Sequence, residues 1–300
     1  MTFKLPAKSQ IRRAFEQAAA RYDEAAVLQR EVGTRLLEKL ALMRIEPARV
    51  LEVGSGTGFC SAPLAARFAR AQFIALDLAH GMLRHSRARL GWRQRLRRRH
   101  GYLCADAERL PLADAAVDLI FSNLTLQWCH DPARAFAEFQ RVLKPGGLLL
   151  FSTFGPDTLK ELRAAWRAVD EAPHVNAFTD MHDLGDALLA CGFADPVMDR
   201  EDITVTYAEA IDLLRDLKTI GANPVQRAAQ TGLTGKQKFR AMQAAYEHYR
   251  RDGLLPASYE IVYGHAWAPL TCRQETADQT TSIALADFRR GLHRTQEETP

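Results

Sequence analysis

Cysteine is scarce in this 300-residue chain: five residues, at positions 60, 104, 129, 191 and 272, odd in number and scattered. They suit no disulfide framework, and no Cys-x-x-Cys pair offers a zinc site, so reduced thiols and a metal-free protein are expected. Cys60 and Cys104 read as small buried apolar side chains. No run approaches the ~20 apolar residues of a membrane span. The opening Met1-Thr2-Phe3-Lys4-Leu5-Pro6 lacks the apolar stretch of a signal peptide, which points to the cytoplasm. Apart from Trp92, no aromatic is interleaved with the basic residues, and no nucleic-acid-binding motif is present, so nucleic acid is not an expected partner. Internal repeats are absent too.

What is present is an ordinary globular composition, 47% apolar and 25% charged, long enough to bury a substantial core. Residues 9–40 carry Phe15, Ala19, Tyr22, Ala26, Val32, Leu36 and Leu40 at helical spacing, a helical cap (1–46) closed by Pro47. Strands then alternate with helices: strand 49–54, helix 57–69, strand 72–77, helix 79–90, strands 101–105 and 117–124, helix 132–142 and strand 147–154. Asp131-Pro132 is a good helix start, and Lys144-Pro145-Gly146-Gly147 reads as a turn. The rhythm changes after Gly155: helix 157–170, helix 180–191 stopping at Gly192, strand 196–206 and last strand 258–266. Thr206-Tyr-Ala-Glu209 and Thr234-Gly-Lys-Gln237 read as capping boxes, the second for a helix over 235–251. The pattern predicts an α/β fold, a doubly wound, mostly parallel seven-stranded sheet with the last strand antiparallel. The main domain spans 47–269, with lid insertions near 155–182 and 206–252, and a disordered tail over 270–300.

Residues 50–58, Val-Leu-Glu-Val-Gly-Ser-Gly-Thr-Gly, form a buried strand running into a glycine turn. Gly54, Gly56 and Gly58 take the first, third and fifth places. A dinucleotide fingerprint needs the sixth, which is Phe59. Glycines so spaced after an acid are the pattern of S-adenosylmethionine (SAM) methyltransferases. Glu52 would then face the amino-acid end of SAM, with Ser55 in the same loop. Asp77 ends a second strand 25 residues after Glu52, where a βαβ unit places a carboxylate against ribose hydroxyls. Leu78 and Met82 would pack on adenine. Asp106, 29 residues further on and followed by Ala107, would read the adenine amino group. Asn123, Leu124 and Gln127, after the fourth strand, would lie beside the methyl donor. A glycine turn with no ligand is the plain alternative, but four strand ends in register argue against it.

Across residues 10–268 the chain resembles the malonyl-acyl-carrier-protein O-methyltransferases, which open biotin synthesis in many bacteria. The resemblance rests on Phe15 to Asp23 with Leu28-Gln29, Ser122 to Cys129, Phe151 to Leu162, and Leu217 to Ala222. Glu52 departs from it, since aspartate is common there. The resemblance implies methyl transfer to the free carboxylate of malonyl-acyl carrier protein or malonyl-CoA, with no metal and no acid–base residue, because a carboxylate is already ionised. Tyr22, Asn123 and Trp128 would position the acceptor. Trp128, Arg163, His174 and Lys218 are the candidates for holding its carboxylate. A monomer is expected.

Eight arginines and no acid lie between Arg84 and His100 (Arg84, 87, 89, 93, 95, 97, 98 and 99). Such a block could be a solvated helix end, or could dock an acidic carrier protein. The chain also resembles a mitochondrial complex I assembly factor associated with arginine hydroxylation, through Phe154-Gly-x-Asp-Thr-Leu-x-Glu-Leu162. A small-molecule methyltransferase and an inactive SAM-fold binding protein complete the alternatives.

Overall fold

The computed structural model of the chain describes residues 6–89, 99–222 and 235–270. Three helices come first: α1 (Lys8–Ala18), the single turn α2 (Tyr22–Ala25) and α3 (Val27–Ala41). The helical spacing of the opening residues is therefore realised as a broken preface, and α3 buries Leu28, Val32, Leu36 and Leu40.

Seven strands follow, interleaved with helices. They are β1 (Arg49–Val53), β2 (Gln72–Asp77), β3 (His100–Cys104), β4 (Val117–Asn123), β5 (Leu143–Phe154), β6 (Ala194–Tyr207) and β7 (Leu255–Trp267). The helices between and after them are α4 (Ser61–Arg67), α5 (His80–Arg89), α6 (Pro132–Val142), α7 (Lys160–Arg167), α8 (Met181–Ala190), α9 (Ala210–Thr219) and α10 (Lys236–Glu247). The sheet order is β3-β2-β1-β4-β5-β7-β6. β7 alone runs antiparallel, between β5 and β6. The expected doubly wound sheet is the one observed.

Alternation along each strand feeds two cores. In β5, Leu148 and Leu150 point to one face and Leu149 and Phe151 to the other. Each such side chain, taken from water, contributes roughly 1.5–3 kcal/mol. α6 shows how local sequence starts a helix. Asp131 accepts from the backbone N–H of Ala133 (3.0 Å) and Arg134 (3.2 Å), Pro132 needs no donor, and Phe136 and Phe139 face the core.

Three local expectations are corrected. Thr206 does not cap α9: it remains in β6, paired with Pro256, and the N-cap residue Glu209 makes no side-chain capping bond. Strand pairing satisfies more backbone groups there than one cap could. The turn at residues 144–147 is absorbed into the irregular start of β5, where the N–H of Gly146 bonds to the carbonyl of Ala268 at 2.9 Å. The predicted helix 57–69 shortens to Ser61–Arg67, because the glycine turn takes its first residues. Thr234 of the other capping box and the 271–300 stretch lie outside the described residues, as do Trp92, Arg93, Arg95, Arg97 and Arg98.

The edge of the sheet nearest β6 is lengthened. Phe154, the last residue of β5, pairs with Ile261, which pairs with Glu201. From there β6 and β7 continue as a two-stranded ribbon to Tyr207 opposite Leu255. At about 3.3 Å per residue the overhang is about 20 Å. Glu161 of α7 clamps the segment after β5 to this ribbon, accepting from the backbone N–H of Ser258 (3.1 Å) and from its hydroxyl (2.5 Å). Glu260 does the same from the strand side, accepting from the N–H of Asp157 at 2.8 Å.

Candidate functional site

The glycine turn lies at the carboxyl end of β1. Gly54, Gly56 and Gly58 all have positive φ (72°, 52° and 85°). A Cβ on Gly54 would collide with the Thr125 side chain, and one on Gly58 would lie 2.5 Å from Ser86 Oγ; one on Gly56 would meet nothing within 4 Å. The turn is thus pinned at both ends and open in the middle. Ser55 Oγ, beside that opening, is buried without a partner.

Two carboxylates converge on this turn. Glu52 is 3% exposed and accepts from Ser61 Oγ. Burial pushes its pKa up to about 8, against the lowering effect of the Ser61 hydrogen bond and with a further rise from Asp77. Asp77 accepts from the N–H groups of Gly56 (2.9 Å) and Ala79 (2.8 Å). Burial raises it to about 6 even so. Two buried acids held near neutrality, an orphan hydroxyl and an open glycine suit a cationic, hydroxyl-bearing ligand.

The fourth strand ends in a polar lattice. Asn123 Nδ2 donates to the carbonyl of Gln29 (3.0 Å), and its Oδ1 accepts from Ser152 (2.8 Å). Gln127 Nε2 donates to the carbonyl of Leu124 (2.7 Å). Leu124 has φ +47°, an uncommon conformation for a residue bearing a Cβ. Trp128 meets Phe15 edge-to-face, with centroids 5.1 Å apart.

The N-terminal helices close over these strand ends, touching the segment after each of the first three strands and the last residue of the fourth. Thr57 donates to Asp23 (2.7 Å), which also accepts from Arg89. The N–H of Gly81 donates to Glu16 (2.9 Å), and Lys8 reaches Asp106 (2.9 Å) and Glu108 (2.5 Å). Gln29 meets Asn123 as above. Met82, expected against adenine, packs with Ala18, Ala19 and Ala79; Ala107 is buried, while Leu78 is half-buried. The helices act as a latch whose strongest link to the glycine turn is Asp23. Asp23→Ala is therefore expected to weaken binding of SAM about tenfold, the loss of a charge-assisted hydrogen bond. Calorimetric titration checks this; unchanged affinity refutes the latch.

A cavity of about 310 Å³ lies between these helices, the β4 turn and the β6–β7 overhang. Tyr22, Leu124, Gln127 and Trp128 line it, as do Phe154, Phe178, Tyr207 and Tyr259. The carboxylate-holding candidates fare unequally. Trp128 faces the cavity. His174 lines it, but its Nε2 lies 2.8 Å from Asp170 and its ring stacks on Trp166 at 3.7 Å. Arg163 faces a separate cavity of about 160 Å³, where its guanidinium donates to the carbonyls of Pro156 (2.8 Å) and Thr158 (3.0 Å). Lys218 is exposed on α9 and is not among the cavity's lining residues. Arg163 and Lys218 stand on the expected lid helices, but helix rotation turns their heads elsewhere. Asp106 reaches the expected strand end, yet its Oδ1 is occupied by Lys8. Of the described basic block, Arg89 is engaged with Asp23 and Arg99 with the carbonyl of Arg70.

Sequence reasoning did not single out Lys8, Glu16, Asp23, Gln29, Tyr207, Asp216 or Tyr259 as site residues. Gln29 Oε1 is buried without a partner at the cavity wall. The one available signal was the run around Tyr22-Asp23 and Leu28-Gln29. Among the described residues, no group of three or more His, Cys, Asp or Glu could hold a metal ion, and no helix is long and apolar enough to cross a membrane.

A family model described as a methyltransferase domain matches residues 51–151. A malonyl-[acyl-carrier protein] O-methyltransferase of Laribacter hongkongensis is 53% identical over 280 residues, 92% of this chain and 94% of that protein. One from a Methylovorus species is 52% identical over 265 residues, 87% of this chain and 89% of that protein. Among solved structures, YcgJ of Bacillus subtilis aligns with a TM-score of 0.56 at 16% identity, over 79% of this chain and 98% of that one, a likeness of fold alone.

Proposed function

Since this chain belongs to the malonyl-[acyl-carrier protein] O-methyltransferase family of SAM-dependent methyltransferases, we propose that it methylates the free carboxylate of a malonyl group thioester-linked to acyl carrier protein. S-adenosylhomocysteine and the malonyl methyl ester would be the products, an early step of biotin synthesis. The observation that carries this reading is the largely apolar cavity walled by Tyr22, Gln127 and Trp128, where the N-terminal helices that bond to the glycine turn meet the segments after β4, β5 and β6. Its lining imidazole, His174, is committed to Asp170. An acceptor that is already an anion at neutral pH fits such a site, because it needs no proton removed.

Glu52, Ser55, Gly56 and Asp77 would hold SAM, with Gly54 and Gly58 shaping the turn, and Leu78, Met82, Asp106 and Ala107 would flank its adenine. Bound SAM supplies an electrophilic methyl on a sulfonium. The chain's contribution is alignment in a water-excluding space, worth roughly 7–11 kcal/mol in favourable model reactions. Leu124 and Gln127 would wall the methyl end, while Tyr22, Asn123 and Trp128 orient the acceptor oxygen. Trp128 offers an indole N–H, a neutral donor that holds a carboxylate without deepening its ground state as a full cation would. The 1–46 cap and the 155–182 and 206–252 segments would act as lids. The high identity to carboxyl methyltransferases over nearly the whole chain favours this reading over an arginine hydroxylase or a small-molecule methyltransferase.

The test uses the full chain, methyl-labelled SAM, and malonyl-carrier protein and malonyl-CoA in parallel. Label is expected as a base-labile ester, with faster turnover on the carrier-bound form. The gene should also restore biotin-free growth to a strain lacking this step. Failure of both assays rejects the proposal.

A further inference from the structure

The cavity is polarised along the sheet. Its one lining carboxylate among the described residues is Asp216, on α9. α9 starts three residues after β6 ends, and turns back so that Asp216 stands beside Tyr207 at the tip of the overhang. Tyr207, Tyr259 and Asp216 all line the cavity, with Tyr207 next to the other two. Tyr259 packs in turn on Phe154, at 5.8 Å between centroids. A carboxylate has about four acceptor positions, and Asp216, lining the cavity, can present them to a ligand. Gln127 and Trp128 follow β4, which is separated from β6 by β5 and β7. Three interstrand steps separate β4 from β6 by about 14 Å across the sheet, and the overhang carries Tyr207 beyond the level at which β4 ends. An acceptor with negative charge therefore stands at one end of the cavity, and the β4 turn at the other.

We propose that Asp216 is a specificity residue of this cavity: its carboxylate accepts an amide N–H from the thioester-linked arm of the substrate and repels the arm's free carboxylate, so that the malonyl end points toward Gln127 and Trp128. The inference rests on the function proposed above. It explains why an acid stands in a cavity meant for an acid-terminated ligand: the two charges are kept at opposite ends. Tyr207 is the positioning residue that holds Asp216.

Steady-state kinetics of the full chain test this with two malonyl thioesters, one on carrier protein through its amide-bearing arm, the other a malonyl ethyl thioester with no amide. Asp216→Asn, which keeps an acceptor but removes its charge, is expected to raise KM for the carrier-bound substrate about five- to tenfold, the difference between a charged and a neutral hydrogen bond, with kcat changed less than twofold. KM for the ethyl thioester should stay the same or fall. Tyr207→Phe should shift KM in the same selective direction by a smaller factor. Equal KM in wild type and D216N on carrier-bound substrate overturns the inference, as does an equal rise on both thioesters. SAM calorimetry verifies that each variant is folded; if D216N is not, the selectivity of Y207F decides. Wild-type turnover on neither thioester removes the proposed function, and this inference with it.

Discussion

Glu52→Gln is expected to make the ligand-free chain more stable at neutral pH while lowering its affinity for SAM about 100-fold. Burial holds the Glu52 carboxyl near a pKa of about 8, against 4.5 in the unfolded chain. A group whose folded pKa is raised incurs no penalty below its unfolded value. The penalty grows as pH climbs from about 4.5 and is complete above about 8, where it reaches about 5 kcal/mol. Ligand-free stability should therefore fall across that window, and Asp77, raised from 3.8 to about 6, adds to the lower half of it. Glutamine keeps an acceptor for Ser61 and removes the charge, so the slope between pH 6 and 8 should flatten. SAM brings an ammonium and a sulfonium, which favour the ionised carboxylate. Wild-type binding near pH 7 should then release close to one proton, and the variant should release less. Thermal unfolding against pH, with calorimetry in buffers of different ionisation enthalpy, measures both effects. A variant with the same pH slope and the same SAM affinity would sink the assignment of Glu52.

The second large effect is expected from the glycine turn, where two neighbouring substitutions should behave differently. At Gly58 an added Cβ meets Ser86 Oγ at 2.5 Å and the Ser86 Cα at 2.8 Å, with φ at +85°. Backbone cannot move aside as a flexible side chain can. Left-handed strain of roughly 1–2 kcal/mol plus overpacking of roughly 1–3 kcal/mol should destabilise Gly58→Ala by about 2–5 kcal/mol. At Gly56 the Cβ meets nothing within 4 Å. Gly56→Ala should lose only about 1–2 kcal/mol of stability, the backbone cost alone, yet bind SAM far more weakly, because the methyl fills space left for the ligand. Urea unfolding with SAM titration separates the two. Equal stability losses, or full SAM affinity in the Gly56 variant, would contradict this division of roles.

The elements that sequence located best are those whose signals are local. Val50 to Gly58 carries its strand, its turn and its acid within nine residues, and Asp131-Pro132 carries its own cap. Thr206 to Glu209 looked equally local, but pairing with β7 claimed Thr206 for the sheet. That Glu52, Asp77 and Asp106 would gather at strand ends was legible because parallel strands end at one edge of the sheet whatever else happens. The lid cations were not. Whether Arg163 or Lys218 meets the cavity depends on how each helix rolls against β7 and the N-terminal helices, which spacing along the chain does not encode.

Sequence by itself thus determined the doubly wound sheet, its reversed last strand and the acids at its carboxyl edge, since each follows from hydrophobic period and glycine placement. Only the tertiary structure decided which side chains share the cavity. It set Lys8 on Asp106, turned Arg163 toward backbone carbonyls, and brought Asp216 to Tyr207 at the end of an overhanging ribbon. Those contacts join residues far apart in the chain, and burial, not local propensity, selects among their possible partners.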